Sequence, residues 1–232
     1  MAISPHNLYT LLLDHFGAQN WWPVDTEYHQ KHGSDPRVEV MIGAILTQNT
    51  AWTNVEKALT NLKRHQALTL QNIVAMNEDT LKTLIQPSGF FNQKARRLKV
   101  FSSYVHDNYQ ANLETFFTRD LHEIRKELLS LNGIGPETAD SILLYAGNHL
   151  VFVVDAYTKR ICKRIPLGVK NNTYEEIQRF FEQKLQKTSS KKQLVCVYKE
   201  LHALIVELAK NYCRKKPWCD TCPLTILCQK SL

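Results

Sequence analysis

An all-α fold is what this 232-residue chain predicts, and three observations predict it. Apolar residues recur at i, i+3 and i+4 along most of its length, the spacing that gathers side chains on one helical face. The breaks between these stretches, at 32–36, 87–89 and 133–136, are short clusters rich in Gly, Pro and Ser, where helices stop. Only residues 150–154 (LVFVV) have a strand's composition, and that run reads equally as a buried loop leading into the next helix. A content of 44% hydrophobic and 22% charged residues is ordinary for a globular chain and excludes a dominantly disordered one. Eight Gly and eight Pro exclude collagen-like or low-complexity sequence.

In chain order, residues 7–16 carry Leu8, Leu11, Leu12, Leu13 and Phe16 on a helical pattern. Residues 37–47, 54–62, 68–76 and 79–85 repeat it. Residues 93–106 set Ala95, Leu98, Phe101 and Val105 among the basic Lys94, Arg96, Arg97 and Lys99. Further helices are expected at 121–131, 137–145, 156–165, 169–186 and 192–210, with 187–192 (KTSSKK) as a short polar linker. No internal repeat is visible.

The first residues lack a basic segment and carry Asp14 and His15 in their apolar stretch, unlike a secretory signal. The longest apolar runs, such as 41–46, are too short to span a bilayer. A soluble, cytoplasmic protein without membrane attachment is expected. The balance of 29 Lys plus Arg against 22 Asp plus Glu, +7 in all, suits a polyanionic partner but many basic proteins bind none. Among six cysteines, Cys162 and Cys196 sit among apolar residues and read as buried thiols. The other four, Cys213, Cys219, Cys222 and Cys228, follow C-x5-C-x2-C-x5-C. In a chain without a secretory signal this cluster argues for a metal, and four thiolates suit a structural zinc or an iron–sulfur cluster alike.

The most informative segment is 131–139, LNGIGPETA. Gly133 and Gly135 permit torsions that other residues resist, and Pro136 fits a first helical position, where its missing N–H costs nothing. A helix–hairpin–helix results, with backbone amides offered to a phosphate, although an ordinary tight turn has the same letters. Asp155 lies 18 residues beyond Glu137, behind the apolar run 151–154. Alone it reads as a helix N-cap.

Together, L-x-G-[IV]-G-x-x-T-A followed by [VF]-x-V-D resembles the helix–hairpin–helix/Gly-Pro-Asp DNA glycosylase superfamily, which includes endonuclease III. The resemblance extends over 42–59, 89–98 (GFFNQKARRL) and the C-terminal cysteines, and so over most of the chain. It implies that Gly133, Gly135 and Thr138 grip a DNA phosphate and that Asp155 is catalytic. A carboxylate suits that chemistry because glycosidic cleavage passes through an oxocarbenium-like sugar, after the base has left the stack. Members that also cut the strand carry a lysine two residues after the second glycine; here Glu137 stands there and cannot form their Schiff base. Lys159 and Lys163, on the helix after Asp155, are the available substitutes. The family's L-[ST]-x-Q-x-T loop would make Gln48 the residue that fills the gap left by the flipped base.

The W-W-P of Trp21, Trp22 and Pro23, with Q-N-T-x-[aromatic] ending at Trp52 and P-S-G-F-[FY]-N-Q-K-A at 87–95, is similar to the 3-methyladenine glycosylase branch. There the tryptophans would stack on a cationic alkylated purine, although core packing would account for them too. Lys94, in its basic run, and Arg214 and Lys215, beside the first cysteine, are expected at DNA phosphates. The family's cysteine spacing is C-x6-C-x2-C-x5-C, one residue longer in the first gap. A [4Fe-4S] cluster bracing the C-terminal loop is expected, with zinc as the alternative. His202 reads as a core histidine.

The resemblance implies two helical lobes: a six-helix lobe at 36–146 holding the hairpin, and a second made of 1–35 and 147–232 holding the cysteines, with the base in the cleft between them. The expected protein is a monomeric, monofunctional N-glycosylase acting on double-stranded DNA that holds an alkylated purine. The alternatives are an endonuclease III-like pyrimidine or mismatch glycosylase with lyase activity, a non-catalytic helix–hairpin–helix DNA-binding protein, and a zinc-ribbon interaction protein.

Overall fold

The structure, a computed structural model, describes residues 3–186 and 190–228. Of the expected linker, residues 187–189 lie outside the described residues. The described residues are helical and contain no strand. None of their helices is long and apolar enough to cross a membrane. The chain forms two compact units, Met1–Trp21 with Asn148–Leu232, and Trp22–Gly147.

In the first unit, helix α1 spans Pro5–Phe16, α11 Ala156–Arg164, α12 Tyr174–Leu185 and α13 Lys191–Asn211, numbered in chain order. Their starts are written in the sequence. Ser4 accepts from the Asn7 amide with Pro5 behind it, and Ser190 and Gln193 form a reciprocal capping box; each such cap is worth about 1 kcal/mol. Helix α12 starts five residues later than the periodicity predicts, because Gly168 takes a left-handed φ of 84° and Thr173 supplies the cap. The run 150–154 is extended but unpaired as a strand. The Phe152 amide donates to Glu182 Oε1 at 2.9 Å, and Gln178 Nε2 donates to the Phe152 carbonyl at 2.8 Å. Side chains of α12 thus satisfy a backbone that would otherwise be buried with its polar groups unmet. The Phe152 ring stacks on Phe181 at 4.5 Å and meets Tyr198 of α13 edge-on.

In the second unit, α2 spans Thr26–His32, α3 Pro36–Leu46, α4 Trp52–Arg64, α5 Leu70–Ala75, α6 Glu78–Ile85, α7 Phe91–Tyr109, α8 Leu113–Phe117, α9 Leu121–Ser130 and α10 Pro136–Ser141. Helix α3 is the core: every residue from Val38 to Leu46 is buried, as befits a helix apolar on nearly all sides. Helices α2 and α8 escaped the periodicity because they are too short to show it, although Asp25 and Asn112 cap them in the usual way. Residues 22–35, expected with the terminal lobe, belong to this unit. The buried Glu39 carboxylate holds them, accepting from the Asp25 amide and His29 Nε2 at 3.0 Å each and pairing with Lys63 at 2.7 Å.

Candidate functional site

The hairpin joins α9 to α10. Gly133 has φ 85°, and a Cβ there would run into the Arg97 side chain, so both torsion and space demand glycine. The Ile134 amide closes the turn on the Leu131 carbonyl at 3.1 Å. Gly135 stands at the N-cap of α10 with no side-chain cap, and Pro136 follows at its first position. The arms are clamped by Arg125, whose Nε and Nη2 reach the buried Asp140 carboxylate at 2.7 and 3.0 Å. Gln48 locks the turn from below: its Nε2 donates to the Gly133 carbonyl and to Thr138 Oγ1 at 2.9 Å each, while its Oε1 accepts from Arg97.

Gln48 and the Thr138 hydroxyl bond to each other, so both side chains take part in building the hairpin. The exposed residue of the 47–50 loop is Asn49, held at φ 55°. The expectation for Lys94 changes. It is fully buried, and its Nζ donates to the Leu46 carbonyl at the end of α3 and to the Ser88 carbonyl, each at 2.7 Å. Burial, helped by the nearby Arg97 charge, pulls its ammonium down to about 8. Lys94 therefore ties two turns together from inside and cannot meet a phosphate. Lys99 likewise donates to the carbonyls of Val74 and Met76, which leaves Arg96 as the open cation of the run, its side chain 74% exposed. Phe90, before α7, is 62% exposed in a left-handed conformation, φ 45°.

The adjacent tryptophans part company, because the chain passes from one unit to the other between them. Trp22 meets Trp52 edge-on at 5.4 Å and Tyr145 at 5.2 Å. Its indole lies over Gly43 of α3, so near that an added Cβ would stand 3.0 Å from Nε1. Tyr145 belongs to a π-helical turn, Ile142–Ala146, that continues α10, the kind of local change that re-aims side chains at functional sites. Neither Tyr145 nor Gly43 carried a sequence signal beyond apolar spacing. Pro23 is exposed. Trp21 packs in the other unit against His202, ring centroids 5.9 Å apart, with Lys210 Nζ 5.6 Å from its own.

Asp155 caps α11 and is buried at 8% exposure. Its Oδ1 accepts from the Thr158 amide at 2.7 Å and from Thr158 Oγ1 at 2.8 Å. Its Oδ2 faces His202 Nε2 at 3.8 Å. The cap reading and the catalytic reading are therefore compatible, since capping occupies one oxygen. Cys162, on the same helix, has its thiol pushed up to about 12 by burial and the Asp155 charge, which makes it inert. Cys196, expected to be buried, is exposed.

In the C-terminal loop, Cys213, Cys219, Cys222 and Cys228 line one cavity of about 30 Å³ with Ile165, Leu208 and Leu224. Helix α11 latches this loop. Arg160 Nε donates to the Cys213 carbonyl at 2.7 Å, and Arg164 Nη1 donates to the Arg214 carbonyl at 2.6 Å and stands 3.3 Å from Cys213 Sγ. Burial and the three neighbouring cysteines push the Cys222 thiol up. The four cysteines share one cavity lining, and their donor set has the number and chemistry that a four-thiolate group would use. Among the described residues no three His, Cys, Asp or Glu side chains are arranged to hold a single metal ion. Arg214 and Lys215 are exposed on the loop.

Residues 42–187 match the HhH-GPD superfamily of base excision DNA repair proteins. A Methanocaldococcus jannaschii protein named "Putative DNA repair glycosylase" is 47% identical over 224 residues, 96% of this chain and 94% of that one. Endonuclease III of Rickettsia felis is 30% identical over 162 residues, 69% of this chain and 68% of its own. Among solved structures, H. pylori 3-methyladenine DNA glycosylase (MagIII), bound to 1,N6-ethenoadenine, superposes with a TM-score of 0.71 at 30% identity, over 90% of this chain and 98% of that one. A trapped endonuclease III–DNA covalent intermediate shares the fold, TM-score 0.69 at 19% identity, over 98% and 97%. With more than half its length matched and a near-full-length relative at this identity, the chain belongs to the HhH-GPD superfamily of base excision DNA repair proteins.

Proposed function

We propose that this DNA glycosylase is monofunctional and excises alkylated purines of the 3-methyladenine type. The observation that carries the substrate is the cluster of Trp22, Trp52 and Tyr145. Alkylation at N3 or N7 makes a purine cationic, and a cation against electron-rich rings gains about 0.5–2 kcal/mol over its neutral parent. The H. pylori neighbour's bound ethenoadenine, a modified purine, points the same way.

The reaction asks little of the protein. The C1′–N bond breaks, its electron pair leaves with the purine and neutralises the charge, and the sugar becomes an oxocarbenium-like cation. The Asp155 carboxylate opposes that charge with its Oδ2, Oδ1 being held by Thr158. Water then adds at C1′ and loses a proton, leaving an abasic site. Glu137, exposed where a lyase lysine would stand, offers no amine for strand cleavage.

The backbone of Gly133 and the uncapped start of α10 at Gly135 would hold a phosphate, with Arg214 and Lys215 as further contacts in a monomer on duplex DNA. The four cysteines would carry a [4Fe-4S] cluster, which supplies a brace for the loop. The test is base release from duplexes bearing 3-methyladenine, thymine glycol or a mismatch. Wild type should release 3-methyladenine, Asp155→Asn should not, and borohydride should trap no covalent complex. Trapping on abasic DNA would make the enzyme bifunctional.

A further inference from the structure

We propose that His202 is a positioning residue for Asp155, holding its second carboxylate oxygen while it seats the ring of Trp21. The proposal rests on the reading of Asp155 as the group that meets the sugar. Thr158 fixes Oδ1 through two donors at 2.7 and 2.8 Å, and this alone leaves the carboxylate free to swing about that anchor. The polar atom facing Oδ2 is His202 Nε2 at 3.8 Å, one small side-chain adjustment from a hydrogen bond. His202 is 4% exposed on α13 and Asp155 8% exposed at the start of α11, so the pair lies in a setting where charge counts.

Two further facts give the imidazole this role. Its ring meets Trp21 edge-on, interplanar angle 81°, which fixes the ring plane and hence the direction of Nε2. Burial also lowers its pKa, against the pull of Asp155, and so favours the neutral ring. A neutral Nε2–H can orient a carboxylate without cancelling its charge, whereas an imidazolium would weaken the anion the oxocarbenium needs.

The experiment compares His202→Leu, His202→Gln and Asp155→Asn in the full chain. Single-turnover base release is followed on methylated duplex and, in parallel, on ethenoadenine, thymine-glycol and mismatch duplexes, so that rates are read on a lesion the wild type removes. Affinity is read on a duplex holding a tetrahydrofuran abasic analogue. His202→Leu should slow release at least about tenfold with affinity nearly unchanged, and His202→Gln, which restores an N–H donor, should recover most of the rate. An unchanged rate in His202→Leu, or equal loss of rate and affinity in both His202 variants, overturns the proposal. A fully active Asp155→Asn overturns instead the reading beneath it.

Discussion

At the hairpin, protein groups satisfy one another. Arg125 meets Asp140, Gln48 meets Thr138 and the Gly133 carbonyl, Arg97 lies over Gly133, and Ile134 is buried at 4% exposure. The loop 213–228 is built the other way. Leu224 is buried, but Trp218 is 58% and Ile226 98% exposed. Its ties include carbonyls held by Arg160 and Arg164, and its four cysteines line one cavity. A segment with so little apolar burial needs a staple. The hairpin's order is therefore a property of the polypeptide, whereas the loop would owe its order to the four-thiolate group proposed for it.

The largest effect that would sharpen this contrast comes from Arg125→Met. It removes the cation beside a carboxylate with no solvent exposure. Loss of one partner of such a buried pair costs about 3–5 kcal/mol, and denaturant unfolding of the second unit should show it. A loss below about 1 kcal/mol would mean that the clamp is ornamental and the hairpin is held by packing alone.

The loop should respond locally. Cys222→Ser should abolish the visible absorbance that the proposed [4Fe-4S] cluster would give and weaken affinity for undamaged duplex about tenfold at low salt, with a shallower salt dependence, because Arg214, Lys215 and Lys216 would lose their fixed placement. Unfolding of the second unit should move little. If it moves as far as in Arg125→Met, the two regions are not independent and the contrast fails.

Where sequence reasoning succeeded and failed follows the same division. Gly133, Gly135 and Pro136 are legible because backbone geometry there admits few residue types, and the cysteines because their chemistry does. Lys94 was misread from its charge, yet its position shows the answer: 94, 98, 101 and 105 share one helical face, and Leu98, Phe101 and Val105 are core. His202 lies in the same way on the buried face of α13 with Tyr198, Ile205 and Ala209. By contrast, nothing in W-W tells that Trp21 and Trp22 go to different units, and nothing in Gln48-Asn49 tells which side chain turns inward. Those outcomes are set by tertiary packing and by a left-handed backbone at Asn49, a conformation that asparagine tolerates.

Lys94 also offers the finest probe of how a prebuilt turn is held. In the unfolded chain its ammonium keeps the proton up to about 10.5, and in the folded protein only to about 8. Below pH 8 both states are protonated and the full penalty of burying the charge falls on the folded state. Between 8 and 10.5 the unfolded state binds more protons, so raising the pH favours folding. The neutral amine still donates to the carbonyls of Leu46 and Ser88, so the tie survives the loss of charge. The stability of wild type relative to Lys94→Met should therefore be flat below pH 8 and rise in favour of wild type across that window, while other lysines cancel in the difference. A flat difference throughout would mean that Lys94 reaches water after all. The basic run would then regain its place among the phosphate contacts.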